Sequence, residues 1–156
     1  MDERSSYDGI TLRLLFWEQS AIEGACAALN GLERSILMQE AVLAETNRLG
    51  FRWSTRVPPP LAEPWPYKPN RETPSSDVRM QMSISITLAE LVTRAAEYVE
   101  VSRPHFIIGS TLAHIGRLQR CFQALCLPES AHKRILTDLR RIKLPPQYQY
   151  PPRRRT

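Results

Sequence analysis

The sequence predicts an all-α fold, a long helical hairpin that dimerises as a four-helix bundle. Two stretches, about 30–49 and about 84–126, carry apolar residues at helical spacing. The chain has 13 Pro but only 6 Gly, and we identify no run of alternating apolar residues that predicts a strand. We therefore expect helices and no sheet. At 156 residues and 17.9 kDa, the chain suits one domain with a modest core.

The first half predicts two helices. One spans Thr11 to Leu29, and the next begins with Asn30 as its cap and stops at Gly50. The second helix has two apolar stripes, which are Leu32, Ile36 and Leu43 on one line and Met38, Val42 and Leu49 on the other. A helix with two apolar stripes needs two partners, one inside the subunit and the other in a second copy of the chain.

A proline-rich segment, 51–82, is predicted to form an ordered excursion at the tip of the hairpin. Seven of the 13 prolines lie from Pro58 to Pro74, interleaved with Trp53, Trp65 and Tyr67. A connector this long is functional, disordered, or folded back on a surface by its aromatic residues. Disorder is the alternative that the sequence leaves open.

The second hairpin helix is predicted to run over about 84–126 with a kink at Pro104. Thr87 and Glu90 have the spacing of a capping box at its start. Proline inside a helix removes one hydrogen bond and clashes with the preceding turn. Two separate helices joined by a tight turn are the alternative.

The C-terminal region is the cationic end of the chain, with ten basic and two acidic residues from 117 to 156. Pro128 can open a short helix that ends near Lys143. Four prolines in 144–152 then predict an extended arm with two tyrosines. The charge indicates a polyanionic partner, although a solvated basic helix face is nearly as common.

Nothing in the sequence indicates an enzyme, a cofactor or a metal site. Phosphate-binding glycine loops, nucleophile elbows and metal-binding helix signatures are not found. The three cysteines have no paired spacing, and His114 lies in an apolar stripe, where a hydrogen-bonded core histidine is the expected reading. No secretory signal or membrane span is indicated, so synthesis in the cytosol is expected.

Several of these features together resemble the core (capsid) protein of the hepadnaviruses and of their fish-infecting relatives, the nackednaviruses. The resemblance rests on Leu91-Val92 through Tyr98-Val99, the break at Pro104, and His114-Ile115 with Leu118. It rests above all on the helix that leads into Leu-Pro-Pro-Gln-Tyr and ends in Pro-Pro before an arginine run. Glu33 to Met38 resemble the middle of that family's first spike helix.

The resemblance implies a homodimer that self-assembles into an icosahedral shell around viral nucleic acid. It implies a helical assembly domain over 1–144, an arm and arginine-rich tail over 145–156, and a location in the virion and in the host cytoplasm or nucleus. The dimer interface would contain Leu32, Ile36, Leu43, Leu88, Leu91, Val92, Ala95 and Val99. Contacts between dimers would use Ile142, Pro145, Pro146, Tyr148 and Tyr150, and nonspecific RNA or DNA binding would use Arg153, Arg154 and Arg155.

Two other functions stay open. Pro145-Pro146-Gln147-Tyr148 matches the short PPxY ligand of WW domains, which would make the chain a helical adaptor. An exposed Tyr148 would favour this adaptor, whereas a Tyr148 buried on a neighbouring helix would favour the capsid. The second alternative is a small helical nucleic-acid-binding protein.

Overall fold

The computed structural model of the protein describes residues 7–51, 57–69, 78–123 and 126–150. Within them the elements are β1 (Tyr7–Leu14), α1 (Phe16–Ala28), α2 (Arg34–Leu49), β2 (Val78–Ser85), α3 (Ile86–Tyr98), α4 (Arg103–Cys121), α5 (Glu129–Arg140) and a 3₁₀ turn (Pro146–Tyr148). The two strands form an antiparallel sheet. The all-α prediction is therefore wrong, since the described residues form five helices and this sheet.

The sheet is a two-stranded ribbon, and its strands follow the period of two that is typical of half-buried strands. The inward side chains are almost fully buried, namely Ile10, Leu12, Leu14, Met80, Met82 and Ile84. Residues 11–14 were predicted to be helical, and 78–82 were predicted to lie in the proline-rich excursion. Both predictions are wrong, since these residues belong to β1 and β2. The strands were hard to recognise because each alternating pattern is only eight residues long and leads into a helix.

The chain contains two strand–helix–helix units, the N-terminal unit (7–49) and the C-terminal unit (78–121). The helices α1 and α3 begin at 16 and 86 and end at 28 and 98, so each boundary recurs after 70 residues. Asn30 and Glu100 both have a φ of 62° in the connection between the two helices of their unit. The buried strand positions 10, 12 and 14 recur at 80, 82 and 84.

An approximate twofold axis relates the two units and passes through the centre of the ribbon. Thr11 pairs with Gln81, the residue that occupies the same position in the other unit. Antiparallel pairing around two equivalent residues relates the strands by a twofold rotation. The equivalent helices α2 and α4 pack against each other, and the stripe of Met38, Val42 and Leu49 is buried within the chain, whereas Ile36 and Leu43 of the other stripe stay exposed.

The predicted helix over 84–126 is divided into separate elements. Strand β2 continues to Ser85, whose Oγ accepts a hydrogen bond from the Leu88 amide at 3.2 Å in place of the predicted capping box. Helix α3 ends at Tyr98, and α4 begins after Ser102, whose Oγ accepts from the His105 amide at 3.3 Å. Pro104 lies in the first turn of α4, where proline is tolerated, so the alternative of two helices is confirmed.

The helix boundaries of the N-terminal unit are also corrected. Helix α1 begins at Phe16 rather than Thr11, and α2 begins at Arg34 with Glu33 rather than Asn30 in the cap position. The predicted stop at Gly50 is confirmed, because Gly50 has a left-handed φ of 93°. The predicted hairpin of α2 with one long helix is not formed.

Helix α4 is covered by two segments outside the repeated units, residues 57–69 and the turn that contains Tyr148. A Cβ atom on Gly109 would lie 2.2 Å from the carbonyl oxygen of Tyr67, and one on Gly116 would lie 1.8 Å from that of Tyr148. Both segments therefore run directly against the helix backbone. Residues 57–69 pack on the helix, as predicted for an ordered excursion, but they connect α2 to a strand and do not form the tip of a helical hairpin. Trp53 lies outside the described residues.

Candidate nucleic-acid interface

The outward face of the ribbon is polar and exposed. Alternation along the two strands leaves six exposed positions between the inward ones, Gly9 and the five side chains of Thr11, Arg13, Arg79, Gln81 and Ser83, and Tyr7 is exposed on the same face at the start of β1. Among the described residues of this face there is no carboxylate, and Asp8 occupies an inward, half-buried position. The face therefore combines two guanidinium groups with hydroxyl and amide groups.

The register of the strands pairs the outward residues across the ribbon. Arg13 lies opposite Arg79, Thr11 opposite Gln81, and Gly9 opposite Ser83. Directly opposite residues have Cβ atoms about 4.5–5.5 Å apart. The two arginines consequently form one cationic end of the ribbon, which we call the arginine pair.

A helix N-terminus flanks each edge of the ribbon, with α2 beside β2 and α4 beside β1. The first turn of α2 and residues 80–82 line a shallow cavity of about 460 Å³. On the other edge, Arg103 Nη1 donates to Asp8 Oδ2 at 3.2 Å. Helix N-termini present unpaired amides and a partial positive charge, which favour anions.

A buried carboxylate, Glu45, organises the region near the C-terminal end of α2. It accepts hydrogen bonds from Arg48 (Nη2 to Oε2, 3.0 Å), from Trp65 (Nε1 to Oε2, 3.2 Å) and from Arg117 (Nη2 to Oε1, 3.3 Å). Both guanidinium groups also lie over the Tyr67 ring, at 5.6 and 5.8 Å from its centroid. This set, the Glu45 cluster, attaches segment 57–69 to α2 and α4, and the hydrogen bond to Glu45 raises the pKa of Arg48.

The burial of two other titratable groups, His114 and Cys26, shifts their pKa values. Burial, and to a lesser degree Arg117, lowers the pKa of His114, whose Nδ1 is buried and has no hydrogen-bond partner among the described residues. Burial raises the pKa of Cys26. Among the described residues, no group of three His, Cys, Asp or Glu could hold a metal ion, and no helix could span a membrane.

Most of the residues predicted for a dimer interface are buried within one chain. The buried ones, which all belong to the C-terminal unit, are Leu88, Leu91, Val92, Ala95 and Val99. Leu32 is half-buried, whereas Ile36 and Leu43 are 42% and 38% exposed. Of this predicted interface, only the exposed pair on α2 remains accessible to a second copy.

The residues predicted to join dimers are divided between interior and surface. Tyr148 is only 2% exposed, and its ring lies between those of Trp17 and Tyr67, with centroids 6.3 and 6.4 Å away. Ile142 and Pro145 are half-buried, and Pro146 and Tyr150 are exposed. The nucleic-acid-binding residues predicted from the sequence, Arg153, Arg154 and Arg155, lie outside the described residues.

The six outward ribbon residues were missed in the sequence, although a signal for them was present. The alternations in ITLRL and RMQMSIS mark two half-buried strands, and their polar positions are the ribbon face.

No protein-family model, no curated protein and no solved structure matches this chain.

Proposed function

We propose that the protein binds duplex DNA and reads its sequence by inserting the ribbon into the major groove. The observation that carries this proposal is the outward face, in which the arginine pair and four other polar or small positions project from a narrow two-stranded sheet. The major groove of B-DNA is about 12 Å wide and admits such a ribbon. β-ribbon readers are an established class of DNA-binding protein, and this analogy concerns the architecture only.

The spacing of the outward residues fits the repeat of the base pairs. Successive outward positions on a strand are two residues apart, or about 6.6–6.8 Å. Two base-pair steps of B-DNA extend about 6.8 Å along the axis. Positions 9, 11 and 13, and positions 79, 81 and 83, can therefore face base pairs two steps apart without a change in the backbone.

The side chains of the ribbon have the chemistry that base edges require. Arginine donates two hydrogen bonds to O6 and N7 of guanine, and glutamine makes a bidentate pair with adenine. Threonine and serine hydroxyls donate or accept, and the threonine methyl group contacts the methyl group of thymine. Arg13, Arg79, Gln81 and Thr11 can thus distinguish one base pair from another.

The N-terminus of α2 beside the ribbon offers contacts to the DNA backbone, because its cap residue makes no side-chain hydrogen bond. In α4, Pro104 has no amide proton and the amide of His105 is bonded to Ser102. Phosphates bind at helix N-termini because the first amides point outward and the helix dipole favours negative charge. Such contacts fix the position of a protein on the duplex, while base contacts provide specificity. The net charge of +5 favours association with DNA over the whole molecule.

This proposal keeps one alternative left open by the sequence, a small helical nucleic-acid-binding protein, and assigns its interface to the ribbon. The capsid function, with its shell and its virion location, stays a prediction that no comparison tests. The helical hairpin from which it was argued is not formed by the described residues. The adaptor function is also untested, and the burial of Tyr148 in its own chain makes its PPxY motif inaccessible in this conformation.

The experiment is a binding titration of the full chain with duplexes selected from a randomised pool, followed by fluorescence anisotropy. Arg13→Ala and Arg79→Ala should each weaken binding to the selected duplex by about 1–3 kcal/mol, the cost of one bidentate contact with guanine. Lys143→Ala is the control, because it removes the same charge from an exposed position outside the ribbon. It should change affinity little and equally for all sequences.

The salt dependence separates base contacts from phosphate contacts. Log affinity falls with log salt concentration with a slope of about −0.9 per phosphate neutralised. Equal losses for Arg13→Ala, Arg79→Ala and Lys143→Ala on random and selected duplexes would contradict reading by the ribbon. The absence of any binding to duplex DNA at low salt would overturn the proposed function.

A further inference from the structure

We propose, on the basis of the proposed function, that the ribbon reads a directional, non-palindromic DNA sequence with its guanine contacts at one end. The two units share a fold, yet they differ at every outward position. Gly9 is equivalent to Arg79, Thr11 to Gln81, and Arg13 to Ser83, each 70 residues apart. The backbone therefore has an approximate twofold axis, and the chemistry on its surface does not.

Because of the strand register, the two ends of the ribbon differ in charge, so the ribbon has a direction along the groove. Equivalent residues lie on opposite sides of the axis, so a symmetric ribbon would carry one arginine at a given position in each half. Here Arg13 and Arg79 occupy non-equivalent positions, which the antiparallel register brings opposite each other at the same end. The opposite end carries Gly9 and Ser83, followed by Tyr7 opposite Ser85, and none of these residues has a charge.

The two ends contact different base pairs. Four residues separate the arginine pair from the Gly9–Ser83 pair, a distance of about 13 Å, or about four base-pair steps. Two arginines at one end select guanines there. Thr11 and Gln81 face the central base pairs, and the far end carries no guanidinium group that could make a bidentate contact with guanine.

The edges of the ribbon are asymmetric as well. Asp8 pairs with Arg103 at the start of α4, whereas Val78 takes the place of Asp8 in the C-terminal unit. At the start of α2, Arg34 Nη1 lies 3.7 Å from Glu23 Oε1 on its own unit. The backbone contacts of the two half-sites therefore differ, which reinforces the polarity of the base contacts.

The test is selection of duplexes from a randomised pool with the full chain, followed by affinity measurement on single base-pair substitutions. The selected motif should be non-palindromic. Arg13→Ala and Arg79→Ala should both relax the sequence requirement at the same end of the site, each by about 10-fold or more in affinity ratio. Substitutions at the other end should change affinity less than about 5-fold.

A symmetrised variant gives an independent result. Gly9→Arg with Ser83→Arg places arginine at all four equivalent outer positions, and a Cβ atom at Gly9 meets nothing within 4 Å. This variant should select a near-palindromic motif with guanines at both ends, whereas Gly9→Ala with Ser83→Ala should retain the directional motif.

The outcomes distinguish this inference from the proposed function. A palindromic motif for the unmodified chain, or effects of Arg13→Ala and Arg79→Ala at opposite ends, would overturn the directional reading and leave DNA binding in place. Failure to retain any duplex from the pool would overturn both.

Discussion

At the scale of single residues, Glu45 is a buried carboxylate whose stability depends on several hydrogen-bond donors. Its side chain is fully buried, and a buried carboxylate is stable only when it is paired and hydrogen-bonded. Arg48, Arg117 and Trp65 meet this requirement together. Because Trp65 belongs to segment 57–69, the carboxylate connects the proline-rich segment to the helices of both units.

Glu45→Ala should lower the free energy of unfolding by about 3 kcal/mol, since it leaves two guanidinium groups and an indole N–H without their acceptor. Arg48 is partly exposed and can turn to water, which holds the loss at the lower end of the range for buried pairs. Urea denaturation measures the change. Glu40→Ala, at an exposed position of the same helix, is the control, and an equal loss in both variants would contradict the role of the Glu45 cluster.

At the scale of elements, α4 depends on two glycines where other segments cross it. Gly109 and Gly116 let the backbones at Tyr67 and Tyr148 approach closer than any Cβ atom would allow. Proline at the start of α4 and glycine along its surface thus have different causes. Pro104 is explained by its position in the first turn of the helix, whereas the two glycines are explained only by the segments that pack against them in the tertiary structure.

Gly109→Ala and Gly116→Ala should each destabilise the fold by about 1–3 kcal/mol, because the added methyl group forces the crossing segment away. Thermal unfolding would register a fall of about 2–4 °C for each kcal/mol in a chain of this size. Gly9→Ala is the matched control, since its Cβ atom meets nothing within 4 Å and alanine restricts the unfolded chain. A Gly116→Ala protein as stable as Gly9→Ala would show that Tyr148 does not lie against α4.

At the scale of the whole molecule, the duplication inside the chain replaces a second copy. The sequence-based argument held that two apolar faces require a symmetric partner. The C-terminal unit supplies one such partner, because α4 packs against α2 and β2 pairs with β1, and the α2 stripe of Met38, Val42 and Leu49 is buried. Only Ile36 and Leu43 keep an exposed apolar surface on α2.

We therefore expect light scattering to give the mass of a single chain, 17.9 kDa, at micromolar concentration. The physical reason is that the stripe of Met38, Val42 and Leu49 is buried within one chain, which leaves only Ile36 and Leu43 exposed to a second copy. Particles in the megadalton range would contradict this expectation and favour the capsid function. A dimer that Ile36→Glu abolishes would instead show that the exposed pair on α2 is an interface.

The sequence by itself determined what local patterns can encode. The apolar stripes identified the helical segments, and Gly50 marked the end of α2. Burial of Leu88, Leu91 and Val92 also followed from their spacing. Each of these features depends on residues within a few turns of one another.

Only the tertiary structure decided the pairing of β1 with β2 and, with it, the candidate DNA interface. A strand of eight residues is ambiguous until its partner is known, and here the partner lies on the far side of two helices and the proline-rich segment. An apolar stripe shows that a face is buried but not what covers it. In the structure, these faces are covered by the second unit, by Trp65 and Tyr67, and by Tyr148. The hydrophobic effect is non-directional, so an apolar stripe by itself does not specify which element packs on it.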